Sequence, residues 1–119
     1  MHRSTKKLQF DRKTREKIYK RDNYQCIFCA AGIYMNSETE EGYRLNGIMH
    51  YVARSQGGLG IEQNGALGCS YHHQMLDNDN KGRGRDLKEY MKGYLKGLYL
   101  DWGWEEKKLR YNKWEGIGK

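Results

Sequence analysis

"GIMHYVARSQGGLGIEQN", residues 47–64, is the stretch on which the reading of this chain turns. An apolar run ends on His50, continues through Ala53, Arg54 and Ser55, and opens into Gly57-Gly58 before closing on Asn64. Together with the preceding "YRLN", the run predicts a strand or half-buried hairpin arm whose apolar members are Leu45, Ile48 and Val52. The composition of "GGLG" makes it a loop. "ALGC", residues 66–69, predicts a short return strand, and a helix is expected from about Ser70 to Asn78.

The three cysteines flank this stretch in a telling order. Cys26 and Cys29 form a C-x2-C in "CIFC", and Cys69 leads "CSYHH", a C-x2-H that reaches His72. Two knuckles of two ligands each supply the four donors of a closed tetrahedral zinc site. The long separation between Cys29 and Cys69 excludes the compact major-groove finger, whose pairs sit about 12 residues apart. A zinc ion here would instead tie two distant segments together. An odd number of cysteines cannot all pair within one chain.

Further out, Asp11 is a candidate N-cap for a helix over "RKTREKIYKR", with Phe10, Ile18 and Tyr19 available to a core. Residues 1–9 read as a basic, frayed extension. "NSETEEG", residues 36–42, is an acidic turn. Residues 78–85, "NDNKGRGR", lack any apolar side chain and read as a flexible link. Asp86 and Glu89 then resemble a capping box before a helix whose Leu87, Met91, Tyr94, Leu95 and Leu98 recur at helical spacing, as a core stripe does. Trp102, Trp104 and Trp114 lie among basic residues in the tail, where packing is the expected role. "GIY" at residues 32–34 has no later "YIG" partner and is a chance match.

The bulk properties suit one domain, and the helices and strands expected along it make that domain α+β. The chain has 119 residues, 37% hydrophobic and 31% charged, so its core is thin and a metal crosslink would help hold it. Lys and Arg number 22 against 15 Asp and Glu, a formal charge of +7 that suits a polyanion such as DNA. No apolar stretch approaches the roughly 18 residues of a membrane span, and the charged start lacks the apolar centre of a signal peptide, so a cytoplasmic protein is expected.

On a helix from Ser70, His73 and Asp77 share a face and could hold one cation, while His72 points about 100° away, toward the zinc. If the His50 strand packs on this helix, a histidine base, a metal-binding face and Asn64 converge. Phosphodiester hydrolysis needs such a set: a base for water and a divalent ion for the developing charge.

"MHYVARSQGG", Asn64 and "CSYHHQMLD", in this order and spacing, resemble the HNH endonucleases of the ββα-metal fold, in the zinc-stapled form common in phages and prophages. The resemblance spans about residues 10–78, leaving 1–9 as an extension and 79–119 as a C-terminal helix and tail packed on the domain. It implies a DNA-cleaving enzyme of a bacterial or phage-infected cell, with His50 as general base and His73 as a metal ligand. Asp77 would be a second ligand, and Asn64 would orient His50 or bind the metal. Cys26, Cys29, Cys69 and His72 would hold structural zinc, and the catalytic ion would be Mg2+, Mn2+ or Ni2+. Arg54 and Ser55 in the loop, with Lys17, Lys20 and Arg21 on the basic helix, would contact double-stranded DNA. Where the family commonly carries a carboxylate or histidine before the base, this chain has Met49, a soft and poor ligand for Mg2+. The departure keeps a second expectation open: a catalytically silent, zinc-stapled DNA-binding module, for example an accessory to phage packaging proteins.

Overall fold

The computed structural model describes residues 7–78 and 82–111. Helix α1, Arg12–Arg21, starts where expected: Asp11 is extended, and its Oδ1 accepts from the Thr14 N–H at 2.8 Å. The helix buries one side chain completely, Ile18, and leaves Arg12, Lys13, Arg15, Lys17 and Lys20 to solvent, while Arg21 turns inward. Asn23 and Tyr24, both at φ 57°, turn the chain, and Tyr24 N–H closes the helix end on the Tyr19 carbonyl at 2.9 Å. A short helix α2, Ile27–Ala31, follows from Cys26.

Strands β1, Leu45–His50, and β2, Gly65–Cys69, form a two-stranded antiparallel sheet, after which α3, Ser70–Asn78, begins without a break. Between Leu45 and Gly47 the register slips, leaving Asn46 as the extra residue of a bulge. The buried member of β1 is Met49, 1% exposed, while Ile48 and His50 lie on the half-open face. Of the apolar members expected on this arm, Val52 is buried while Leu45 and Ile48 are only partly so; Met49, beside His50 in sequence, packs inward because side chains alternate along a strand. Met49 lies flush against the opposite strand, so a Cβ on Gly68 would come 2.3 Å from its sulfur.

Helix α4, Arg83–Leu98, lays Leu87, Met91 and Leu95 into the core, and each stabilises the fold by roughly 2 kcal/mol through burial. Leu98, counted in the same stripe, is 48% exposed instead. The helix also starts earlier than expected. Gly82, at φ 81°, precedes it, so the capping box reading of Asp86 and Glu89 fails; Asp86 accepts from the Tyr34 hydroxyl at 2.5 Å. Of the predicted link, Asn78 closes α3 and residues 83–85 belong to α4, while 79–81 lie outside the described residues.

A polar knot joins α4 to the rest. Asp22, at the end of α1, accepts from Arg21, from the Leu67 N–H of β2 at 2.9 Å and from the Tyr94 hydroxyl of α4 at 2.5 Å. Arg21 also donates to the carbonyls of Glu62 and Gly65, at 2.7 and 2.6 Å, and to the Tyr99 hydroxyl at 3.1 Å. Every partner in the knot is satisfied, the condition under which a buried ion pair is tolerated. Beyond α4, Trp104 packs its ring against Tyr51 and donates to the Gln63 carbonyl at 2.8 Å. Trp102 is partly exposed beneath Lys108, and Trp114 lies outside the described residues. No helix among the described residues is long and apolar enough to cross a membrane.

Candidate functional site

Cys26, Cys29, Cys69 and His72 come together, their ligand atoms all within 4.8 Å of one another. Local structure aims each of them. Cys26 caps α2, and its Sγ accepts from the Cys29 N–H at 3.5 Å; in the second knuckle Cys69 Sγ accepts from the His72 N–H at 3.3 Å. The Ile33 carbonyl can only accept, so His72 Nε2 donates to it, at 2.6 Å, and the Nδ1 lone pair is turned to the thiols. His72 Nδ1 lies 3.7, 3.6 and 3.1 Å from the sulfurs of Cys26, Cys29 and Cys69, and Cys29 and Cys69 are 3.7 Å apart. A tetrahedral zinc with Zn–S near 2.3 Å and Zn–N near 2.0 Å would have donor–donor edges of about 3.5–3.8 Å, so the group fits such an ion with a small opening at Cys69. Burial pushes the thiols of Cys29 and Cys69 up. Burial acts the same way on Cys26, but its contact with His72 and the backbone donors around its sulfur outweigh it and bring that thiol down to about 7. These four residues could therefore hold a structural metal ion such as zinc, binding both knuckles into one unit.

On the other side of β1 a cleft of ≈ 580 Å³ opens between the strand, the following loop and α3. His50, Arg54, Ser55, His73 and Asp77 all line it, joined by Arg15 from α1 and by Phe10. His50 Nε2 lies 3.1 Å from the Leu8 carbonyl, and the Phe10 ring covers the imidazole at 4.4 Å between centroids. Burial lowers the pKa of His50, with smaller contributions in the same direction from the charges of Arg54 and His73; the bond to Leu8 acts in the opposite sense. His73 Nε2 stands 3.5 Å from Asp77 Oδ2, one helical turn on, and its Nδ1 meets the Asn46 amide at 2.8 Å. Asn46 is the residue at the bulge in β1.

Four expected site residues stand elsewhere. Asn64 is 0% exposed and spends its amide on the loop: Oδ1 accepts from Val52 N–H at 2.8 Å, and Nδ2 donates to the carbonyls of Val52 and Leu59 at 3.2 and 2.8 Å. It neither bonds His50 nor faces the cleft; it clamps the loop that carries Arg54 and Ser55. Arg21, expected on DNA, is committed to the knot around Asp22. Lys17 and Lys20 are exposed on α1 but do not line the cleft, and Lys20 borders a separate groove with Tyr19 and Tyr24.

Arg15, Asn46 and the Leu8 carbonyl were missed from the sequence. Counting back from His50 by twos gives Ile48 and then Asn46, so strand alternation carried a signal for Asn46. No side-chain pattern announces a backbone carbonyl. Residues 7–10, assigned partly to a frayed extension, dock instead: Gly60 N–H donates to the Lys7 carbonyl at 3.0 Å. No family model, curated protein or solved structure matches the chain.

Proposed function

We propose that this chain is a metal-dependent DNA endonuclease of the HNH type, built on a ββα-metal fold with a structural zinc at Cys26, Cys29, Cys69 and His72. The observation that carries the reading is one cleft shared by a histidine whose Nδ1 is free of backbone partners, a His–Asp pair and two arginines. His50, with its Nε2 proton given to Leu8, presents Nδ1 as the base that takes a proton from the attacking water. Arg15 and Arg54 neutralise the phosphate, and Ser55 adds a hydroxyl donor at the same rim. A divalent ion such as Mg2+, Mn2+ or Ni2+ on His73 and Asp77 would stabilise the charge on the pentacovalent phosphorus and the leaving oxygen. As placed, the Asn46 amide nitrogen donates to His73 Nδ1; an ion on Nε2 would require that amide to turn its oxygen to Nδ1–H, which frees the Nε2 lone pair. With Met49 in the core, the protein's share of that coordination is small, which Mg2+ tolerates because it keeps several waters.

The same scarcity of ligands favours the second reading, a zinc-stapled module that binds DNA without cutting it, as an accessory to a larger assembly such as phage packaging. Supercoiled plasmid incubated with purified protein separates the two. The nuclease reading predicts open-circle product that needs Mg2+, Mn2+ or Ni2+ and vanishes with EDTA. Binding without any ion-dependent nick under all three metals would leave the accessory reading in its place.

A further inference from the structure

The segment Lys7–Phe10 lies upstream of both knuckles and both strands, yet it holds the ring of His50. We infer that this segment is a positioning strap for the base, the Leu8 carbonyl setting the tautomer of His50 and the Phe10 ring setting its direction. A carbonyl only accepts, so at 3.1 Å His50 Nε2 carries the proton and Nδ1 is left with its lone pair. Among the described residues no other hydrogen bond to the His50 side chain is seen, Asn64 being engaged with the loop. Phe10, tilted 39° to the imidazole, covers one face of it, so ring rotation must displace the strap.

The strap is itself fastened. Gly60 N–H donates to the Lys7 carbonyl at 3.0 Å, and the strap runs so close over Gly60 that a Cβ there would stand 2.1 Å from the Gln9 carbonyl oxygen. The far side of the same loop is gripped by the segment after α4, Leu59 N–H donating to the Leu109 carbonyl at 2.7 Å and Tyr111 N–H to the Gly57 carbonyl at 2.6 Å. The Lys7 ammonium sits 5.4 Å over the Tyr111 ring and links the two segments. Held from both sides, the 57–60 loop is a fixed anchor from which the strap reaches the base.

The inference rests on the nuclease reading for its effect on catalysis but not for its effect on the ring, and the test uses both. Nitrogen-15 spectra of the imidazoles, with His50→Gln to assign the signal, read the tautomer in full-length, zinc-loaded protein without DNA. The strap predicts His50 protonated at Nε2 and bare at Nδ1. Gly60→Ala lifts the strap without altering any charge or any group in the cleft, and Phe10→Ala removes the covering ring. Both should turn the single tautomer into an averaged signal. Both should also lower kcat for plasmid nicking about tenfold to a hundredfold while KM stays within about twofold, as misplacement of a reacting group does. Wild-type His50 protonated at Nδ1 overturns the inference, and so do variants that fold, keep the wild-type ring signals and nick at the wild-type rate. The predicted tautomer in a protein that never nicks would sustain the strap and sink the nuclease instead.

Discussion

His50 can act as a base only when neutral, and burial in the cleft favours that form by lowering its pKa. The acid limb of log kcat/KM against pH should therefore lie below the ordinary histidine value near 6.5, a limb at or above 6.5 being the contrary result. Stability follows the same sign: it is fully present above about 6.5 and lost as pH falls through the lowered value, because the unfolded chain then binds the proton more readily. Asn64→Ala strips a buried Val52 N–H of its partner and should destabilise by about 1–3 kcal/mol in urea unfolding, with zinc retained. Met49→Asp buries an unpaired carboxylate, and should cost about 3 kcal/mol or more with no gain in affinity for Mg2+ or Mn2+. Met49→Leu, close in volume, should cost less than about 1.5 kcal/mol. If Met49→Asp instead tightens metal binding at an unchanged melting temperature, residue 49 faces the ion and the packing described is wrong. The grouping of the cysteines with His72, and the placement of His50 and His73 in one cleft, were legible in the sequence because few arrangements suit such residues at such spacing. Asn64 was not, because an asparagine that clamps backbone and one that orients a base look alike until its partners are known.

At the scale of elements, the knuckle pair and the knot around Asp22 fasten the helices to a sheet too small to hold them alone. Structural zinc contributes on the order of 10 kcal/mol in small domains, so Cys26→Ser should lose both the metal and most of the folded signal in circular dichroism. Elemental analysis of folded wild-type protein should find one zinc per chain. Arg21→Ala leaves Asp22 buried without its counter-charge and should cost about 3–5 kcal/mol, loosening α4 before the knuckles, as hydrogen exchange would show. α1, the two strands and α3 were legible from the Asp11 cap, the apolar runs and the knuckle spacing. The start of α4 was not: "GRGR" has the composition of a linker, and the packing of Leu87, Met91 and Leu95 draws the helix back over it. The knot was equally hidden, since Arg21 reads as one more cation in a basic helix.

The whole molecule carries a formal charge of +7, and DNA binding resting on it should weaken steeply with salt and depend little on sequence. Fluorescence anisotropy on unrelated duplexes between about 50 and 200 mM salt should give parallel, falling lines; a flat line would remove phosphate as the main contact. The α+β architecture was visible in the order of the motifs, but the docking of Lys7, Leu109 and Tyr111 on one loop was not, because it runs through backbone groups of segments with no pattern of their own. Whether the His50 cleft cuts DNA is decided by nicking of supercoiled plasmid with wild type and His50→Ala side by side, at saturating Mn2+, on preparations matched for zinc content and melting temperature. His50→Ala should nick at least about a hundredfold more slowly with DNA affinity unchanged. Equal rates from the two proteins would move the chemistry away from His50.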